Sequence, residues 1–339
     1  MGRFNPKINF IAVGILSIVL CLGGAVPALG TESGVRVTYR LKWLFNMSTL
    51  GDLYADRNQM FTKRGLRVTV KAGGPERDAI KELELGYAQF GVASADQVIR
   101  ARAKGASVVV LAQLFQINPL QWIYRADKIK LERLADLKGK TLGITYGGND
   151  ETIMRTLLAK GNISESEVKL FSVRYDYTPF YRHKADIWPV YRNTQAVFIG
   201  EKLRQAGERV AFFNPAHFGV KFVANSEVTS ERMLKEHPQT VRKFMDGLLS
   251  GWREALEPSH AQKALECLRQ FDKDTARNIL EAQLRITRDL IKPGPDTKIG
   301  TIDVAGWEMT EQIMLDQKQI QKPIGIKKAL RPLPGLLKE

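Results

Sequence analysis

Val35-Arg36-Val37-Thr38-Tyr39-Arg40-Leu41-Lys42-Trp43-Leu44-Phe45-Asn46-Met47-Ser48-Thr49 runs from an alternating segment into an aromatic loop, and that junction decides the fold. Val35, Val37, Tyr39 and Leu41 alternate with Arg36, Thr38 and Arg40, the period-two signature of a strand with one buried face. A helical segment follows from Leu50 to Arg64, with Gly65 where a left-handed C-terminal cap belongs. Leu66, Val68 and Val70 then alternate again. Such a β-α-β unit sets its first loop at the carboxyl edge of a parallel sheet, where open α/β folds bind ligands. Trp43, Phe45 and Asn46 are therefore expected to line a ligand site. On these residues alone, core aromatics beneath a loop are the competing account.

The pattern continues outward. Gly73-Gly74-Pro75 breaks the chain, Glu76 to Leu85 reads as a helix, and Phe90 to Ala93 as a short apolar strand. Ser94 opens a helix to Lys104, and Val108 to Ala112 is a strand buried on both faces. Ser94 thus falls on the same sheet edge as Trp43. A second lobe begins near Leu120. Its strand at Thr141 to Thr145 leads into Tyr146-Gly147-Gly148-Asn149-Asp150 and a helix with Ile153, Met154, Leu157 and Leu158 on one face. Asn149 is the expected N-cap. Free amides at such a helix start favour an anion or a carbonyl, and the glycines admit close approach. The spacing is not that of a P-loop, and a plain tight turn is the alternative.

Val168 to Val173 reads as a strand, and Asp186 to Gln195 as an aromatic and amide segment carrying Tyr191, Asn193 and Gln195 ahead of a helix to Ala206. Phe212 to Pro215 and Val220 to Ala224 are expected strands, the second returning to the first lobe. Val241, Phe244, Met245, Leu248, Leu249 and Trp252 recur at helical spacing and belong to a core. Helices near 261–271, 273–290 and 304–317 complete the chain and are expected to pack on lobe one.

Arg3 and Lys7, the uncharged run Ile8 to Leu22 and Ala28-Leu29-Gly30 form a signal-peptide pattern over residues 1–30, with cleavage expected before Thr31. The run is shorter than the roughly 20 residues of a spanning helix. Cys21 raises a lipoprotein alternative, against which Leu20 stands in place of a small residue. Cleavage leaves Cys267 as the one cysteine, which rules out an intramolecular disulfide or a cysteine-built metal site. The net charge of +15 is spread through the chain, and no nucleic-acid motif accompanies it. The four His fall singly, without metal-ligand spacing, and no nucleophile elbow is present. Carboxylates sit among Lys and Arg on expected solvated faces, and no catalytic pair stands out. No cofactor is expected. Two α/β lobes edged with aromatics, amides and a glycine turn suit a small flat polar ligand.

Leu-Lys-Trp-x-Phe-Asn from Leu41, Phe-Thr-Lys-Arg-Gly-Leu from Phe61, Phe-Gly-Val-Ala-Ser-Ala-Asp from Phe90, Asp-Leu-Lys-Gly-Lys-Thr-Leu-Gly-Ile from Asp136 and Gly-Gly-Asn-Asp-Glu from Gly147 occur in that order. This series resembles the periplasmic solute-binding proteins of ABC importers, and within them the thiamine-pyrimidine-precursor group related to sulfonate, taurine and nitrate binders. The resemblance covers about residues 35 to 320. It implies an α/β type II periplasmic binding protein fold, with lobe one at 31–120 plus 222–339, lobe two at 121–221 and crossings near 120 and 222. It also implies an exported monomer that meets a membrane ABC permease and has no nucleic-acid partner. By motif, Trp43 and Asn46 match the pair that flanks the pyrimidine, Gly147 and Gly148 the lobe-two turn, and Tyr191 and Asn193 the loop after the family's Asp, here Asp186. Gln195 stands where precursor binders commonly carry a carboxylate. Sulfonate, riboflavin-like or other anionic ligands are the alternatives within the class, and a sensory role is a further one. A pyrimidine-forming enzyme would bring a cysteine-rich iron motif, which this sequence lacks.

Overall fold

Ten strands form two five-stranded sheets in the computed structural model, which describes residues 34–335. The expected signal peptide, its cleavage point and Cys21 lie outside the described residues. Sheet one takes β1 (Val35–Arg40), then α1 (Leu50–Arg57), β2 (Leu66–Lys71), α2 (Ala79–Glu84), β3 (Phe90–Ala93), α3 (Ala95–Ala103) and β4 (Val108–Gln113). The chain then enters sheet two with β5 (Leu120–Arg125), β6 (Thr141–Ile144), α4 (Asn149–Lys160), β7 (Lys169–Ser172), α5 (Thr178–Tyr181), β8 (Ile187–Tyr191), α6 (Gln195–Gln205) and β9 (Val210–Phe213). It returns through β10 (Ser226–Ser230), and α7 (Glu231–Glu236), α8 (Pro238–Leu256), α9 (Ala261–Arg269), α10 (Arg277–Ile291) and α11 (Val304–Asp316) follow.

Strand order is β2-β1-β3-β10-β4 in sheet one and β7-β6-β8-β5-β9 in sheet two. β1 pairs parallel with β2 and β3, as the β-α-β reading requires. β10 inserts antiparallel between β3 and β4. In sheet two, β5 plays the same antiparallel role between β8 and β9. The two sheets are thus joined by two strands of chain, between Gln113 and Leu120 and between Phe213 and Ser226.

Several expected elements move. The helix at Leu50 stops at Arg57 because Asn58 folds its side-chain amide back onto the Tyr54 carbonyl at 2.9 Å and Gln59 takes a positive φ of 59°. A short 3-10 turn, Thr62–Arg64, follows, and Gly65 adopts the expected left-handed cap at φ 73°. Val220 to Ala224 is not a strand. Its apolar residues are buried as irregular chain, while the polar-looking Ser226-Glu227-Val228-Thr229 is the returning strand and is itself fully buried. Ile187 to Tyr191 is a strand rather than a loop, with Pro189 within it. The N-cap of α4 is Gly148, and Asn149 is the first helical residue.

One core packs Tyr39, Tyr54, Phe61, Phe90, Phe244 and Trp252 between sheet one and α8. The Phe90 and Phe244 rings stack at 3.8 Å between centroids. α1 crosses α8 so closely at Gly51 that a Cβ there would overlap the Trp252 ring. A second core runs without interruption from the α3 face of sheet one through Trp122 and Ile144 of sheet two and Met154 of α4 to Trp307 and Met314 of α11. A third, around Ile123, Phe180 and Trp188, lies on the other face of sheet two. Burial of this many large side chains stabilises the fold at about 1.5–3 kcal/mol each before conformational entropy is subtracted.

Candidate functional site

The loop after β1 meets the loop after β6 across a cavity of about 200 Å³ between the two sheets. Trp43, Asn46, Gly147, Gly148, Asn149, Tyr191 and Gln195 all line it, so seven of the residues singled out by sequence converge on one space. Three others are held elsewhere. Phe45 packs on Phe271 with centroids 4.4 Å apart. Ser94 caps α3, fully buried, and its hydroxyl lies 2.6 Å from Asp96 Oδ1 and 3.0 Å from Gln97 Oε1. Asn193 is also fully buried, and its amide nitrogen donates to Ser48 Oγ at 3.1 Å and Thr287 Oγ1 at 3.0 Å. Asn193 therefore pins the segment after β8 to α10 and to the Ser48 turn.

Each lining residue is placed by local chemistry. Asn46 Oδ1 accepts the Ser48 amide at 2.8 Å, and Thr49 Oγ1 accepts the Asn46 amide at 3.2 Å, a reciprocal cap that fixes the first loop. Gly147 has φ 79°, which turns the chain so that Gly148 can open α4. Gln195 accepts the Tyr191 amide at 3.0 Å and the Thr194 hydroxyl at 2.5 Å, so its carbonyl oxygen is committed to the loop. Asp186 likewise serves the sheet, accepting the Thr141 amide at 2.7 Å.

Lys42 is the functional candidate the sequence reading passed over. Its ammonium donates across the cavity to Asn149 Oδ1 at 3.1 Å and Tyr191 Oη at 3.0 Å and lies 5.7 Å from the centroid of the Tyr191 ring. Lys42 is the even-numbered neighbour of Leu41 in the alternating pattern, so it points opposite to the core; only the facing lobe shows that this direction is the cavity. Since Lys42 can only donate, it also fixes the Asn149 amide, and Asn149 Nδ2 is buried without a partner. Trp188 Nε1 and Asn225 Oδ1, on two more lining residues, are buried without partners as well. At the rim, Trp43 meets Tyr175 with centroids 5.2 Å apart, and Arg174 pairs with Glu76 at 3.0 Å.

The acids around the cavity differ from the expectation of solvated faces. Asp150 is buried against the Thr145 amide at 2.5 Å, and burial pushes its carboxyl up to about 6 although Thr145 and the nearby Lys42 charge pull it down. Asp52, 2% exposed, lines the cavity from α1. Its Oδ1 receives the Tyr39 hydroxyl at 2.9 Å and the Trp252 indole N–H at 3.2 Å, and burial pushes it up to about 7. Glu227 of β10 lies 2.8 Å from the same Tyr39 hydroxyl, and burial with Asp52 nearby holds its carboxyl well above the usual range. Burial likewise raises Tyr39 well above an ordinary phenol. These groups were missed because Asp52 occupies a helix position and Glu227 a strand that looked polar. Cys267 is free and buried, and is not among the lining residues. Among the described residues no group of three His, Cys, Asp or Glu side chains could hold a metal ion.

Residues 46–261 match the family model described as NMT1/THI5 like. A riboflavin-binding protein, RibY, of Chloroflexus aurantiacus is 22% identical over 351 residues, covering 95% of this chain and 96% of its own. A protein of Haemophilus influenzae named for thiamine biosynthesis is 26% identical over 211 residues, 60% of this chain and 63% of that one. Among solved structures, the alkanesulfonate-binding protein SsuA of Xanthomonas axonopodis superposes with a TM-score of 0.67 at 16% identity, over 89% of this chain and 99% of that one. The desulfurization enzyme DSZB superposes with a TM-score of 0.57 at 13% identity, over 89% and 97%. The two-lobed α/β architecture of periplasmic binding proteins is the fold common to these chains.

Proposed function

As the chain belongs to the NMT1/THI5-like family, we propose that it is the exported solute-binding component of an ABC importer, holding a small heteroaromatic solute such as a thiamine-related pyrimidine between its lobes. The observation that carries this reading is the cavity where Trp43, Asn46, Asn149 and Tyr191, drawn from opposite sheets, converge. Aromatic faces beside amide groups suit stacking with in-plane hydrogen bonds. Lobe one corresponds to 31–120 plus 222–339 and lobe two to 121–221. The two connecting stretches act as a hinge, and a membrane permease reads the closed state of a monomer. The cysteine thiol stands apart from the cavity, and the binding proteins among the chain's relatives support binding rather than turnover.

A second reading has its own support. The Lys42 ammonium, the α4 N-terminus and the unpaired Asn149 Nδ2 all donate, which favours a ligand oxygen at that end, as in a sulfonate or the carbonyls of a flavin. Both readings place the ligand in the same cavity. Native mass spectrometry of protein purified from its own host, followed by uptake assays in a strain lacking the gene, tests them. A retained heteroaromatic whose uptake depends on the gene is expected. Recovery of the protein free of any small molecule, with uptake of every candidate intact in the deletion strain, overturns the transport assignment.

A further inference from the structure

We propose that Asp52, Tyr39 and Glu227 form a proton-holding cluster in the wall of the cleft, and that through Asp52 the cleft selects ligands presenting an N–H donor. The inference rests on the cleft being the ligand site and names the chemistry it takes.

The Tyr39 oxygen lies 2.9 Å from Asp52 Oδ1 and 2.8 Å from Glu227 Oε2, yet a phenol carries one proton and donates once. Both contacts close as hydrogen bonds only when one carboxyl is itself protonated and donates to the Tyr39 oxygen. The cluster therefore retains a carboxyl proton. The two acids are not equivalent. Glu227 is fully enclosed, and its Oε1 has no partner. Asp52 receives the Trp252 N–H at 3.2 Å and lines the cavity. Negative charge is thus better held on Asp52, and the proton on Glu227.

The groups facing the cluster are Tyr39 from β1, Glu227 from β10 and the non-titrating Trp252 from α8. Lys42 and Asp150 stand in the same cavity, with the Lys42 ammonium engaged by Asn149 and Tyr191. No cation pairs with Asp52 or Glu227 among the described residues, so the charge of Asp52 is uncompensated until a ligand supplies a donor. Below about pH 7, where burial keeps a proton on Asp52 as well as on Glu227, a ring N–H or an amino group beside Asp52 favours its ionised form, and the proton it gives up passes to solvent. An anion at the same place favours the protonated form and takes a proton up. The loop after β8 cannot play this part, because the Gln195 oxygen is already occupied by Tyr191 and Thr194. α1 supplies the acid that this loop lacks.

The test is calorimetric titration of the mature chain with 4-amino-2-methylpyrimidine and with methanesulfonate, from about pH 5 to about pH 9, in buffers of different ionisation enthalpy. The aminopyrimidine is expected to bind about 10-fold more tightly as pH rises through neutrality, with proton release beyond that of the ring itself. Asp52→Asn, near-isosteric and able to accept from Trp252, should abolish that pH dependence and weaken binding about 10-fold or more. Carboxyl carbon NMR of the ligand-free protein should show one acid of the pair still protonated at neutral pH, and Glu227→Gln should leave Asp52 titrating alone. Two carboxyl carbons titrating in the ordinary range overturn the cluster. Unchanged affinity and slope in a folded Asp52→Asn protein, binding of methanesulfonate alone that tightens as pH falls, or no binding of the aminopyrimidine, overturns the donor selection. The transport assignment is decided separately by the retained ligand and the uptake assay.

Discussion

Replacing Lys42 with Met keeps the unbranched apolar stem and removes the charge that joins the lobes. Lys42 donates two hydrogen bonds across the cavity, to Asn149 at 3.1 Å and Tyr191 at 3.0 Å. Hydrogen bonds from a charged donor contribute about 1.5–3 kcal/mol each, and Lys42 is only half-buried, so the lower figure applies. Water replaces part of each bond in the open form, which leaves a loss of about 1.5–3 kcal/mol in the closed form alone. At 1.4 kcal/mol per decade, the equilibrium between closed and open lobes shifts by about 10- to 100-fold, and a ligand that binds the closed form weakens by the same factor. Single-molecule distance measurements between labels on α2 and α5, with calorimetric titration of the retained ligand, read both quantities. A second signature is independent of closure: the Lys42 charge holds the Asp150 carboxyl down, so its removal should raise Asp150 further above about 6. A folded Lys42→Met protein with wild-type affinity, wild-type closure and an unmoved Asp150 would refute the role given to this residue.

Trp43→Ala removes both the rim contact with Tyr175 and one face of the cavity, and should weaken a flat ligand by about 1–3 kcal/mol, taking stacking on a base as the guide; unchanged affinity in calorimetry would place the ring outside the site. Asn193→Ala should lower the melting temperature, because it breaks the tie between Ser48 and Thr287, whereas affinity at temperatures where the protein is folded should change by no more than about 1 kcal/mol. Gly51→Ala pushes a methyl into the Trp252 ring, and overpacking of about 1–3 kcal/mol should appear in urea unfolding; a neutral result would mean that α1 and α8 part easily. Asp52 is raised to about 7 in the fold, so its contribution to stability is fully present below the unfolded value near 4 and is lost as pH rises through about 7. Denaturant midpoints measured across that window should fall with pH in the wild type and fall less steeply in Asp52→Asn, where Asp150 and Glu227 still contribute.

The β-α-β opening was legible because period-two apolar residues, a helix and a left-handed glycine follow one another within 36 residues, from Val35 to Val70. The same reading failed at the return strand. Val220 to Ala224 looks like a strand from hydrophobicity and is buried irregular chain. Ser226 to Ser230 looks polar and forms an interior strand between β3 and β4. Its Glu227 tolerates that position because the Tyr39 hydroxyl meets it, a partner 188 residues away that no local window contains. The site divides along the same line. Trp43, Asn46 and the Gly147-Gly148 turn were visible as loop chemistry next to strands. Lys42 and Asp52 were not, since their meaning depends on what the facing lobe or the neighbouring strand places opposite them. Phe45 and Asn193 carried the same compositional signal as their neighbours, and only packing assigns them to the frame.

The placement of β10 between β3 and β4 has a consequence for the order in which the molecule can assemble. β4 has no other neighbour in its sheet than the strand that arrives 113 residues after β4 ends, counted from Gln113 to Ser226. A nascent chain that has emerged only as far as β9 holds a hydrophobic edge on β3 and an orphaned β4, so the first lobe cannot settle ahead of the second. Closure of so long a loop is slow and late relative to local helix formation. The polypeptide consequently stays unfinished through two thirds of its synthesis, until β10 has left the ribosome and can be laid between β3 and β4.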